Sequence, residues 1–232
     1  MTNTLGDRRV QRHAPIREQV AAILRDAIVQ MELRPGQVLI ERELCEMTSA
    51  SRPSVREALR QLESEGLVES RTGRGTVVAA PSRDQAEQLY QVRAELEGMA
   101  VELFTTRADD AQRAQLREAF DALERAVKSR PYGDVEAGVA AEMLAAKDRI
   151  YGIFIEGAGN EILSEMVGGL QRRVTQLRAL TMTNPGRLQA SLEEIRTIVE
   201  AVERKDAGAA RRAATTHVEM AARTALSFVR GT

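Results

Sequence analysis

Ser51-Arg52-Pro53-Ser54-Val55-Arg56-Glu57-Ala58-Leu59-Arg60-Gln61-Leu62 reads as a helix closed by Glu65-Gly66; Leu67-Val68, Thr72-Gly73-Arg74-Gly75 and Thr76-Val77-Val78 follow it. Ser51 or Arg52 caps this helix, and Pro53 suits its first turn, where an N–H has no partner to lose. Val55, Leu59 and Leu62 recur at helical spacing and form its buried stripe. Past Gly66 the helical period is lost, and the sequence reads as two short strands around a glycine-containing turn.

Toward the N-terminus, the polar run Thr48-Ser49-Ala50-Ser51 separates this helix from a brief one with Leu44 and Met47 on its inner face. Before that come a short extended stretch, Val38 to Ile40, and a turn at Pro35-Gly36. Ile16, Val20, Ile23, Ala27 and Met31 form one stripe on a first helix of about four turns. Toward the C-terminus, the chain is helical from Asp84 onward, with breaks at Arg130-Pro131-Tyr132-Gly133, Gly157-Ala158-Gly159-Asn160, Asn184-Pro185-Gly186 and Lys205-Asp206. The predicted fold is mainly α. A winged helix-turn-helix with a small β-hairpin wing spans 15–80, a linker 81–83, and an all-α antiparallel helical bundle 84–230, behind a flexible tail at 1–14. There is no internal repeat or low-complexity tract.

A chain of 232 residues is long enough for two domains, and with aromatics at 3% the cores must be built from Leu, Ile, Val, Met and Ala, which favours helix. Formal net charge is −1, so any case for nucleic acid rests on local charge. The single Cys45 excludes an intramolecular disulfide framework and suits a reducing, cytoplasmic setting. No apolar run approaches the ~20 residues that span a bilayer, and Arg8, Arg9 and Arg12 have no apolar segment behind them, so neither membrane insertion nor secretion is expected.

Arg52, Arg56 and Arg60 lie four residues apart, beside the buried stripe of the same helix. Arg52 and Arg56 sit at its amino end, the part of a recognition helix that approaches base edges, where a guanidinium pairs with guanine O6 and N7. Arg60 is expected to meet phosphate or Glu63. The same stripe also suits an ordinary solvated face interleaved with Glu57, Glu63 and Glu65. The hairpin tips the balance toward DNA, because Gly73-Arg74-Gly75 lets backbone approach phosphate and adds a cation.

Leu33-Arg34-Pro35-Gly36, Glu41-Arg42-Glu43-Leu44, Ser51 through Leu59 and Glu65-Gly66-Leu67-Val68 resemble the DNA-binding domain of the GntR family. The resemblance places the family's DNA-contacting arginines on Arg42, Arg52 and Arg56 and its wing glycine on Gly73; Ser54 and Arg74 complete the candidate DNA-binding set. Val92-Arg93-Ala94-Glu95-Leu96-Glu97, Gly157-Ala158-Gly159-Asn160, Pro185-Gly186-Arg187 and Glu194 through His217 resemble the FCD sensor domain of the FadR subgroup. This implies a homodimeric repressor on an inverted-repeat operator in double-stranded DNA, with a small-molecule effector in the helical domain. The alternative is a DNA-binding dimer whose helical domain is a scaffold with no effector.

Many FCD domains hold a divalent metal with one Asp and three His and use it to grip a carboxylate. By this resemblance His217 matches the last metal histidine and Ile195 stands at the preceding ligand position. Anchoring on Asn160 puts Lys147 at the Asp position and Tyr151 at a His position; anchoring on Asp148 leaves Gly152 at that His position instead. With His13 in the tail as the only other histidine, no metal and no other cofactor is expected. A loose oxygen-rich site of Asp148, Glu194 and His217 is the competing reading, as is a hydrogen-bonded core histidine at His217. The candidate effector-binding set is Arg93, Lys147, Tyr151, Arg178 and His217, with Arg93 and Lys147 supplying charge for a carboxylate and Arg178 read more readily as a surface residue. Phe154, Met166 and Met182 read as core. No catalytic residue is expected, since the sequence has no nucleophile elbow, P-loop or HExxH pair.

Overall fold

The computed structural model describes residues 15–29, 32–129, 137–182, 184 and 186–229. The expectations for the tail at 1–14 with His13, for Met31, for the break at 130–133, for Pro185 and for the side chain of Met182 lie outside the described residues.

Three helices come first: α1 (Ile16–Val29), α2 (Glu41–Thr48) and α3 (Arg52–Ser64). Val20, Ala21, Leu24, Ala27 and Ile28 form the buried face of α1, whereas Ile16 and Ile23 are exposed. The expected stripe is thus rotated by about one residue. Leu44 is the inward residue of α2, and Met47, expected beside it, is exposed. Ser49, in the left-handed conformation, turns the chain out of α2, and the Ser51 hydroxyl caps α3 by accepting from the Ser54 amide. Val55, Ala58, Leu59 and Leu62 bury against α1, with Leu67, Val68 and Val78 completing the core.

Strands β1 (Val68–Arg71) and β2 (Gly75–Val78) form the antiparallel hairpin, with Val68 opposite Val78 and Arg71 opposite Gly75. Its turn places Gly73 at φ +78°, a conformation that glycine enters without Cβ strain, and the Arg74 amide donates to the Arg71 carbonyl at 3.0 Å. The extended stretch before α2 pairs with the other edge of β2: Val38 bridges Val77, and the Leu39 amide donates to Thr76 at 2.8 Å. This ties the hairpin to the base of the helix-turn-helix.

The bundle consists of α4 (Arg83–Arg107), α5 (Asp110–Lys128), α6 (Ala137–Gly157), α7 (Glu161–Met182), α8 (Arg187–Glu203) and α9 (Ala207–Phe228). Ser82 and Gln85 make a capping box that starts α4 at Arg83, one residue before the expected onset. A second box, Asp109 with Gln112, starts α5. The break at Ala108–Asp109 is absent from the sequence reading, although an Asp followed three residues later by Gln is the signal that marks it.

Phe104, Phe120, Phe154, Leu116, Ile150, Ile195 and Ile198 are fully buried in the main core. Phe104 and Phe154 meet edge to face at 5.2 Å, and Gly157 leaves room for the Phe104 ring: a Cβ there would lie 2.5 Å from it. The alanines of α9 (Ala210, Ala214, Ala221 and Ala225) are buried and let it lie close along α4. Met166, expected in the core, is 53% exposed on α7. No described helix is long and apolar enough to cross a membrane.

Candidate nucleic-acid interface and effector site

Arg52, Arg56 and Arg60 are all exposed along α3, and Arg42 is exposed on α2. Three of the four carry carboxylate partners. Arg56 Nε donates to Glu41 at 2.7 Å, Arg42 Nη1 donates to Glu46 at 3.0 Å, and Arg60 pairs with Glu57. Glu63, the expected partner of Arg60, instead accepts from the Ser70 amide at 3.1 Å and braces the hairpin. The hydrogen bond and charge of Arg56 hold the Glu41 carboxyl below its usual range. Exposed pairs like these are worth little in water and are readily exchanged for phosphate or a base edge. Ser54 is half-buried, its hydroxyl 3.0 Å from that of Ser51, and Arg74 is exposed at the tip of the wing beside Gly73. The six candidate residues thus lie on α2, the first turns of α3 and the hairpin turn.

All five candidate effector residues are buried: Arg93 on α4, Lys147 and Tyr151 on α6, Arg178 on α7 and His217 on α9. They are close enough to perturb one another's ionisation. Arg178, read as a surface residue from sequence, is 5% exposed and pairs with Asp148. Arg93 donates through Nε to Glu97 at 2.7 Å, and Glu97 is buried with it. Arg187 holds Glu194 in a two-pronged pair at 2.7 and 2.9 Å, and His217 Nδ1 lies 2.5 Å from Glu194 Oε2. The Tyr151 and His217 rings stack at 6.2 Å. Glu97, Arg187 and Ser191 are absent from the sequence-derived set, and Glu194 enters the sequence reading only in the competing oxygen-rich site. Arg187 and Glu194 lie seven residues apart, which places them on one helix face, but their polarity assigns that face to solvent when tertiary contacts are unknown.

Burial dominates the electrostatics here. It pushes the Lys147 amine well down, with Arg178, Arg187 and Arg93 adding repulsion, and it pushes the Tyr151 phenol up. Burial also lowers His217 to about 4, against the pull of Glu194. Glu194 is raised by its own burial, but the hydrogen bonds from His217 and Arg187 bring it down to about 2. Three guanidinium groups (Arg93, Arg178 and Arg187) are thus paired with three carboxylates (Glu97, Asp148 and Glu194), with the Lys147 amine among them. Several buried polar atoms are left without a hydrogen-bond partner: Arg93 Nη1, Tyr151 Oη, Arg187 Nε, Ser191 Oγ and His217 Nε2. Such atoms cost about 1–3 kcal/mol each unless water or a ligand satisfies them.

The donor set does not fit a divalent metal. Lys147 and Tyr151 face inward while the Asp148 side chain is 46% exposed, so the inward polar groups of α6 are an amine and a phenol. Ile195 is fully buried in the apolar core. Asp148 is engaged by Arg178 and Glu194 by Arg187, and among the described residues no group of three or more His, Cys, Asp or Glu is placed to hold a metal ion. The loose oxygen-rich site is therefore replaced by a chain of ion pairs, and His217 is a hydrogen-bonded buried histidine that also presents a free nitrogen.

A helix-turn-helix with a hairpin wing, joined to a helical bundle with a buried polar cluster, defines a DNA-binding transcriptional regulator of two parts. The chain matches the bacterial regulatory proteins of the gntR family over residues 16–78 and the FCD domain over residues 88–220, and it belongs to the GntR family with an FCD domain. It is 24% identical over 92% of its length to the uncharacterized HTH-type transcriptional regulator YdhC of Bacillus subtilis (strain 168), covering 92% of that protein. It is 34% identical to the Uxu operon transcriptional regulator of Escherichia coli (strain K12), over 52% of this chain and 53% of that one. Among solved structures, a GntR regulator from Rhodococcus sp. RHA1 shares the fold with a TM-score of 0.74 at 24% identity, covering 92% of this chain and 99% of that one. McbR/YncC of E. coli does so with a TM-score of 0.72 at 24% identity, over 90% and 95% of the two chains.

Proposed function

We propose that this chain is a homodimeric repressor, with a DNA-reading domain at 15–80, a linker at 81–83 and an effector-sensing domain at 84–230. Arg42, Arg52, Ser54, Arg56, Gly73 and Arg74 engage an inverted-repeat operator, and the effector is a small anion, a carboxylate, that binds without metal. The observation that carries the effector reading is the buried cluster, with its Lys147 amine and its unpartnered polar atoms on α4, α6, α8 and α9. Arg93, Lys147, Tyr151, Arg178 and His217 are its ligand-facing set.

A route to the DNA-binding part is also in place. The side chain of Arg173 on α7 lies across Gly66, and a cleft of about 630 Å³ separates the base of the hairpin from α4 and α7. Arg178 lies further along the same helix as Arg173, so an effector that draws Arg178 from Asp148 acts on the helix that touches the reading domain.

For the dimer, Val92 and Met99 on α4 and Ile162 and Met166 on α7 are exposed, beside half-buried Leu96, Leu103 and Leu170. A second copy placed on this face about a two-fold axis matches a two-fold operator. Met166→Asp is expected to yield monomers in sedimentation analysis at concentrations where the parent chain is a dimer. A dimeric Met166→Asp protein would move the interface elsewhere.

Arg52→Ala and Arg56→Ala are each expected to weaken specific operator binding by roughly 1–3 kcal/mol with unchanged thermal stability. Unaltered affinity in both would remove α3 as the reading helix. The effector reading is tested by thermal unfolding against small carboxylates, sugar acids and amino acids, with zinc and with chelator. A cognate anion at about 100 times its Kd adds roughly 2.7 kcal/mol and protects equally in chelator. Protection that requires zinc would reject the metal-free site.

A further inference from the structure

The cluster contains one element that a carboxylate cannot use. Arg187 grips Glu194 through both nitrogens of its fork at 2.7 and 2.9 Å, which keeps Glu194 an ionised acceptor. His217 Nδ1, 2.5 Å from Glu194 Oε2, must therefore carry the hydrogen of that contact. On a neutral ring this leaves Nε2 as a bare acceptor, and Nε2 is buried with no partner. A carboxylate oxygen set against it would oppose one lone pair with another in a poorly screened interior. The donors lie elsewhere in the cluster. Arg93 Nη1 is free because Nε and Nη2 are committed to Glu97, Arg187 Nε is free, and Lys147 has no carboxylate partner among the described residues.

We infer that His217, with its tautomer fixed by Glu194 and Arg187, accepts a hydrogen bond from a hydroxyl of the effector, so that the effector is a hydroxylated anion rather than a plain carboxylate. The inference rests on the anion-site reading proposed above. The anionic end goes to Arg93 and Lys147, and the hydroxyl points at Nε2, beside the Tyr151 ring; Ser191, three residues before Glu194 on the same face of α8, adds a further buried hydroxyl without a partner. Here Glu194 and Arg187 are positioning residues that act through the imidazole. A site built around a buried acceptor discriminates strongly against an analogue that lacks the matching donor.

Two measurements on the full chain test this. In the first, the protein is labelled with ¹⁵N-histidine, and His13→Gln identifies the His217 signals. The expected spectrum at neutral pH, without ligand, has Nδ1 protonated and Nε2 unprotonated. An Nε2–H tautomer or an imidazolium would overturn the inference and leave the anion site standing. In the second, matched probes are compared by thermal unfolding and calorimetry: glycolate with acetate, lactate with propionate, malate with succinate. The hydroxylated member of a pair should bind about tenfold or more tighter, with the Nε2 resonance shifting on binding. Equal protection by the deoxy partner would overturn the hydroxyl requirement alone. No protection by any of the six would count against the anion site and bring the inference down with it.

Discussion

Glu97→Ala is expected to destabilise the protein by roughly 3–5 kcal/mol, the cost of leaving a buried charge without its partner. Arg93 and Glu97 are 2% and 1% exposed, one turn apart on α4, and joined at 2.7 Å. Each holds the other charged despite burial, with Arg93 raised and Glu97 lowered. A guanidinium does not escape by losing its proton, so without Glu97 it must draw in water or distort the helix. Thermal unfolding should show a fall in Tm of about 10 °C. Glu97→Gln keeps an acceptor and should lose less. The double replacement Arg93→Met with Glu97→Met removes both charges and should recover much of the single-variant loss. A Tm for Glu97→Ala within a degree or two of the parent would mean that Arg93 is already solvated and that the cluster is not a dry site.

Acidification should reveal His217 as the second large effect. Burial holds its folded pKa at about 4, below the ordinary value of 6.5. Between those values the unfolded chain takes up a proton that the native state refuses. The stability present above pH 6.5 is therefore lost progressively as the pH falls toward 4, by about 3 kcal/mol in all. Glu194, held at about 2 and half-buried, adds a smaller loss that begins near pH 4.5 and continues to pH 2. Urea unfolding from pH 7 to pH 4 measures the slope, and His217→Gln should flatten it. The same slope in that variant would assign the acid sensitivity to other groups. An effector hydroxyl on Nε2 requires the neutral ring, so binding to the native protein should hold through pH 5 and weaken only as the pH nears 4, where His217 itself takes up a proton.

The reading head was legible because its signals are local. The Ser51 cap, Pro53, the Val55-Leu59-Leu62 stripe and the Gly73 turn each depend on residues a few positions apart, and the family motifs lie on the same stretch. Orientation was less legible. The stripe of Ile16, Val20, Ile23 and Ala27 and the observed one of Val20, Ala21, Leu24, Ala27 and Ile28 share Val20 and Ala27. Periodicity alone does not say which flank meets α3. Met47 and Met166 are exposed for the same reason, since an apolar side chain on a helix reports a face without reporting whether a neighbour covers it.

The sequence by itself determined the order of the first three helices and the hairpin, the arginine stripe of α3, and a candidate set of five polar residues in the bundle, of which Arg178 read more readily as a surface residue. Only the tertiary structure decided what surrounds those five. Arg93 and His217 stand 124 positions apart, yet both help to enclose a polar interior that Arg178, Arg187 and Glu194 also enter. The physical reason lies in how polar side chains are buried. An arginine or glutamate can leave water only where another helix brings its counter-charge, so its burial depends on packing that no local pattern encodes.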